Sequence, residues 1–268
     1  GGTPLALPAA AMAAGAPGSW LVALRAVALL LRHTAGAHLP WDYSNQTRWA
    51  TVPHATCVDA GSQSPIDIRS TQITHFPMVS SGDGKSTSIG PVTWSYEWAL
   101  VNVSLGWSDS LSWEVRLLPP YDATTRAAFA QKDFALRSFH FASPSENHLE
   151  GEGFDMEVQH MHEADDGNQL IISMMMRVGL VPDNPYLAQF WNDFPRYIKN
   201  GSTDKVITSP FYGAFPEDRS FYVFRGSLTR PPCTSQVTWV VFQEPMLISH
   251  AQLASYRAAL NGSSGGRF

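Results

Sequence analysis

Residues 139–167 read FHFASPSENHLEGEGFDMEVQHMHEADDG. At FHFA and again at MEVQ, apolar and polar residues alternate, the period-two signature of a strand with two unlike faces. The residues between are too rich in Pro, Ser, Asn and Gly to continue a strand. Outward from this stretch the texture repeats. GPVTWSYEWALVNVSL, SWEVRLL and FALRSFHFA lie on the N-terminal side. QLIISMMMRVGL, SFYVFRGSL and QVTWVVF lie on the C-terminal side. Helical pattern is confined to residues 184–198 (NPYLAQFWNDFPRYI) and 248–260 (ISHAQLASYRAAL). From Trp41 onward the chain therefore reads as a mainly β, α+β domain with an antiparallel sheet and short peripheral helices.

The 268 residues are 44% hydrophobic and 12% aromatic, enough for a sizeable core and too apolar for a disordered chain. Charged residues are only 15%, against roughly 25% in ordinary soluble domains. Eighteen basic residues against 23 acidic ones give a net charge of −5, which offers no electrostatic footprint for nucleic acid. No run reaches the roughly 18 apolar residues of a clean membrane span. There is no Gly-rich phosphate loop, no G-x-S-x-G, no C-x-x-C and no internal repeat.

Residues 1–18 are Gly, Ala and Pro with almost no charge, a low-complexity tail. Residues 19–32 (SWLVALRAVALLLR) favour a helix capped by Ser19 and apolar on every side except at Arg25. Such a helix needs burial on most sides. Two readings stand, docking on a partner or a membrane and packing on its own domain. The division expected is a tail and docking helix over 1–36 and a folded domain over 37–268. Cys57 and Cys233 are either two buried thiols or one disulfide, which requires an oxidising compartment. Four N-x-Ser/Thr sequons occur, at Asn45, Asn102, Asn200 and Asn261. Asn102 sits in a strand-like run and is expected to be too buried for modification. These features favour a secretory or lumenal route.

Four segments in order carry a family resemblance: CVDAGSQSPIDI from Cys57, FHFASPSENHLEG from Phe139, FDMEVQHMHEADDG from Phe154, and RGSLTRPPCT from Arg225, followed by Val237 and Trp239. Over roughly residues 41–260 the chain resembles the α-class carbonic anhydrases, especially their bacterial and plant-type branch. The resemblance implies a central, twisted, mostly antiparallel sheet with a conical active-site pit. It also implies a disulfide between Cys57 and Cys233.

Enzymes of that family hold zinc with three histidines, two from F-H-F-H and one from E-x-H-x-x-H. The H-x-H spacing works because alternate strand residues share a face. Here the first position is His140, but the second is Ala142 and the third is Gln159. PSEN fixes the register after the first pair, and Glu157 and HEADDG fix it around the third. His160 and His162 fall on the opposite face, and only a one-residue slip that turns the whole strand over would bring His160 into the pit. Catalytic zinc sites use three protein ligands, so one histidine and one amide imply loss of the metal and of its low-pKa water. No cofactor is expected, and zinc returns only if the ligand assignment fails.

The rest of the pit follows the same comparison. The threonine that orients hydroxide in the family is kept as Thr229, and its acidic partner as Glu146. The next threonine is replaced by Arg230, expected to crowd the pit and pair with Glu146. Glu157 remains and can accept from the Gln159 amide. The glutamine before the first ligand is Ser138, and the proton-shuttle histidine falls at Trp98 or Ala99. The family's last N-x-R-P-x-Q-P-L segment is not found before Phe268.

Three functions remain open on the sequence. The first is an inactive scaffold that docks through residues 1–36 onto protein partners in a membrane-associated assembly, extracellular or in an organelle lumen such as the thylakoid. The second is a module that binds bicarbonate or a similar anion through Arg230. The third is a surviving hydratase with an atypical metal site.

Overall fold

The alternating runs become strands because each has one face to bury against the sheet's own packing layer. The computed structural model describes residues 46–57, 63–72, 78–80, 86–89, 92–96, 100–108, 112–119, 125–129, 132–197, 200–208, 218 and 220–263. The tail and helix expected over residues 1–36, the boundary at 36/37, Asn45, Trp98 and Ala99 lie outside them.

In chain order the strands are β1 (Asp67–Ile68), β2 (Met78–Ser80), β3 (Ser86–Ile89), β4 (Val92–Tyr96) and β5 (Leu100–Trp107). Next come β6 (Trp113–Leu117), β7 (Thr125–Phe129), β8 (Lys132–Ala142), β9 (His148–Leu149) and β10 (Met156–Glu163). The last five are β11 (Gln169–Val178), β12 (Thr203–Thr208), β13 (Phe221–Ser227), β14 (Ser235–Phe242) and β15 (Met246–Ile248). Thirteen of these described strands join in one sheet, whose spine runs β13-β14-β11-β10-β8-β7-β4-β3-β2. The long β8 divides its partners: residues 132–135 pair with β7, and residues 138–140 pair with β6. Beyond β6 the sheet continues through β5 to β12. Within this sheet the described pairing is antiparallel except where β14 and β15 run parallel to β11, and β1 and β9 form a separate parallel pair.

Both faces of the central strands are covered. On one face Phe139, Phe141, Val158, Phe190, Trp191 and Tyr256 belong to a single buried cluster. On the other, Ile171, Met175, Val237 and Trp239 pack with Ile68, Leu149 and Phe154. This is why QLIISMMMRV reads as a near-continuous apolar run: from Leu170 to Met176 no side chain reaches solvent.

The sequence pattern predicts helix over 184–198, but among the described residues of that range the α-helix is only α1 (Pro185–Ala188). Asn184 caps it by accepting from the Tyr186 and Leu187 amides, and Pro185 suits its first turn. Phe190, Trp191 and Phe194 then enter the core from turns, and Pro195 forbids a continuing ladder. The second helix, α2 (His250–Ser263), matches the expectation over 248–260 and extends it by one turn. It is held behind β8, where the Tyr256 hydroxyl donates to the Phe141 carbonyl at 2.7 Å. Trp191 Nε1 donates to the Gln252 carbonyl at 2.9 Å. Among the described residues no helix is long and apolar enough to cross a membrane.

The Cys57–Cys233 disulfide is present, with Cα atoms 5.0 Å apart. It fastens the turn that follows β13. Cys233 N donates to the Arg230 carbonyl at 2.7 Å, and Thr56 Oγ1 donates to the Cys233 carbonyl at 2.7 Å.

Candidate functional site

A cavity of about 200 Å³ opens on the sheet face opposite the large aromatic cluster. The pairing registers build it. Glu114 lies opposite His140, and Arg116 opposite Ser138. His140 lies opposite Gln159 in turn, and Ala142 opposite Glu157. Residues in register share a face, so one row of side chains from β6, β8 and β10 points the same way. Ser138, His140, Gln159 and Met161 line the cavity from the strands, with Glu114 and Arg116 beside them. Thr229 and Arg230 close it from the turn that the disulfide fastens.

Arg230 does not pair with Glu146, contrary to the sequence expectation. Its Nη2 sits in close hydrogen-bonding contact with His140 Nε2. A guanidinium can only donate, so Nε2 is the unprotonated ring nitrogen and Nδ1 carries the proton of the neutral ring. Burial holds the His140 pKa well below its ordinary value, and the Arg230 charge lowers it further. The ring is therefore neutral, with its pit-facing lone pair already engaged.

Glu146 is taken up elsewhere. Gln159 Nε2 donates to Glu146 Oε2 at 2.9 Å and to Glu157 Oε1 at 3.1 Å. Thr229 is buried at the rim, but its hydroxyl is not bonded to Glu146, so the expected acid–threonine pair is not formed. Glu157 is fully buried beneath Gln159. It accepts from the Glu146 and Asn147 amides at 2.8 and 2.9 Å, from Asn147 Nδ2 at 2.8 Å, and from Ser173 Oγ at 2.6 Å. Burial, and then the neighbouring Glu146 charge, raise its pKa, while these donors oppose the rise.

His160 and His162 face away from the cavity. The β8–β10 ladder keeps one register from Glu157 to Met161, so no slip brings His160 round, and the bulge in it follows Met161. His160 instead lies 4.8 Å from the Phe139 ring, centroid to centroid. Both rings are buried, and burial lowers both pKa values, that of His162 to about 4. His148 is exposed.

The donor set at the three family ligand positions does not suit zinc. His140 is engaged by a cation, Ala142 has no lone pair, and the Gln159 amide is bound to two carboxylates. Among the described residues no three His, Cys, Asp or Glu side chains gather as a metal-binding group. Arg116 and Glu114, ion-paired at 2.8 Å, were not singled out by the sequence reading. Their alternation in SWEVRLL was visible, but the neighbour of that strand was not.

The sequons divide differently from expectation. Asn102 is exposed on β5, between the buried Val101 and Val103, so the expectation that it is too buried is corrected. Asn200 and Asn261 are exposed.

Comparison with known proteins places these features in a family. The eukaryotic-type carbonic anhydrase profile matches residues 44–267. A carbonic anhydrase of Klebsiella pneumoniae is 29% identical over 227 residues, covering 82% of this chain and 83% of that protein. Dioscorin DB3L of Dioscorea polystachya is 27% identical, covering 77% of this chain and 70% of that one. The α-carbonic anhydrase structure from Photobacterium profundum superposes with a TM-score of 0.67 at 28% identity, over 82% of this chain and 92% of that one.

Proposed function

Because the chain belongs to the eukaryotic-type carbonic anhydrase family, we propose that it is a member without zinc-dependent hydration, keeping the family fold as a structural, docking subunit. The observation that carries this reading is the Arg230 guanidinium on His140 Nε2. A zinc ion would need that lone pair, and it would have to sit beside a fixed positive charge while gaining nothing from Ala142. The chain's own groups then do no more than hold one another. Arg230 caps His140, Gln159 bridges two carboxylates, and Glu157 anchors the backbone at Glu146 and Asn147.

The docking element in this reading is the apolar segment within residues 1–36, seated on a protein of a membrane-associated assembly. The disulfide is consistent with a secreted or lumenal setting. Two measurements test the proposal. Carbon dioxide hydration by the purified chain in zinc-containing buffer should not exceed the buffer rate, and a zinc-dependent rate would overturn the loss of catalysis. Deleting residues 1–36 should release the protein from its native assembly, and unchanged co-purification would overturn the docking role.

A second reading has its own observation. Arg230 makes no ion pair among the described residues, and its partner is a neutral ring. A part-buried guanidinium without a counter-charge suits a small oxyanion such as bicarbonate, bound through forked hydrogen bonds. Calorimetric titration should show saturable binding in the millimolar range that Arg230→Ala removes. A flat isotherm would end this reading while leaving the first intact.

A further inference from the structure

We propose that Asn102 carries an N-linked glycan, and that this glycan covers an apolar patch formed by Leu100 and Val206. Asn102-Val103-Ser104 is an acceptor sequence without proline at its centre. Along β5 the burial alternates, so Val101, Val103 and Leu105 enter the core while Leu100 and Asn102 face out. The register with β12 sets Val206 directly opposite Asn102 and Thr208 opposite Leu100. Opposed side chains in a ladder stand about 5 Å apart at Cβ. Two large aliphatic side chains therefore flank the asparagine, Leu100 at 63% exposure and Val206 at 52%.

Exposed aliphatic residues close together on a sheet near its edge are a self-association hazard unless something shields them. A sugar on Asn102 would lie over both, because its attachment point is the residue they surround. The oxidising compartment implied by the Cys57–Cys233 bond is the kind in which such a sugar is added. The patch also has a defined place relative to the pit. Ser104, Arg116 and Ser138 lie level across β5, β6 and β8, and Asn102 is two residues along from Ser104 on the same face. At about 4.8 Å between strands and 3.4 Å per residue, the attachment point lies about 12 Å from Ser138, beside the mouth of the cavity.

The test uses the full chain secreted from a eukaryotic cell, analysed by glycopeptide mass spectrometry. The expected result is a sugar on the Asn102 peptide, lost with the mass of one glycan in Asn102→Gln and in Ser104→Ala. An unmodified Asn102 peptide would overturn the proposal, whether or not the other sequons are occupied. For the covering role, Asn102→Gln should raise binding of an apolar dye and promote self-association. Adding Leu100→Ser and Val206→Thr to that variant should reverse both effects. Dye binding and association unchanged in Asn102→Gln would mean that the sugar covers nothing, or that a bound partner protein does the covering.

Discussion

Arg230 decides the character of the pit, because it meets His140 at the nitrogen a metal would use. Arg230→Thr alone removes the cation but leaves one imidazole, so it is expected to gain no tight zinc binding. Combining it with Ala142→His and Gln159→His restores three nitrogen donors on one face of β8 and β10. That triple variant is expected to retain stoichiometric zinc after dialysis, as read by elemental analysis. Glu157 makes a second prediction at this scale. Its carboxylate accepts from five donors, and a glutamine there would turn an NH₂ group toward some of them. Glu157→Gln is expected to cost about 2–3 kcal/mol of stability, measured by denaturant unfolding. Residue identity at His140, Ala142, Gln159 and Arg230 was legible in the sequence, because short motifs fix their register. The pairing of Arg230 with His140 was not, since a turn's approach to a strand depends on side-chain reach and packing.

The turn bearing Thr229 and Arg230 depends on the disulfide, which joins residues 176 positions apart. Cys57→Ser with Cys233→Ser is expected to destabilise the protein by about 2–5 kcal/mol in chemical denaturation. Strands were the most readable elements, because alternation such as that in SWEVRLL follows directly from one covered and one open face. The segment 184–198 misled for a physical reason. Its apolar residues recur at helical spacing, yet Pro195 and the turn residues Asn192 and Asp193 break the backbone while the aromatics still reach the core. Asn102 misled in the opposite way: neighbours as apolar as Val101 and Val103 made the run look buried, although alternation sends every second side chain outward.

Across the described residues, three buried histidines, His140, His160 and His162, couple the fold to pH. The unfolded chain takes up protons as pH falls below the ordinary histidine value of 6.5, while folded His162 stays neutral until about pH 4. The contribution of His162 to stability is therefore full above about pH 6.5 and is lost toward pH 4, by roughly 3 kcal/mol, while Glu157, whose pKa is raised, works in the opposite direction. His140 and His160 act in the same direction. The melting temperature should fall through that window, and His162→Gln should flatten the decline. The family and its sheet were readable from four separated motifs, while the order β12-β5-β6-β8 that places Arg116 in the pit and Asn102 beside it required the three-dimensional pairing.

Metal content reports directly on the proposed loss of the catalytic zinc from this pit. The full chain is equilibrated with excess zinc, dialysed against metal-free buffer and analysed for zinc per protein. Far less than one zinc per chain is expected. One tightly retained zinc per chain would contradict that loss, and would mean that Arg230 leaves His140 and other donors complete the site.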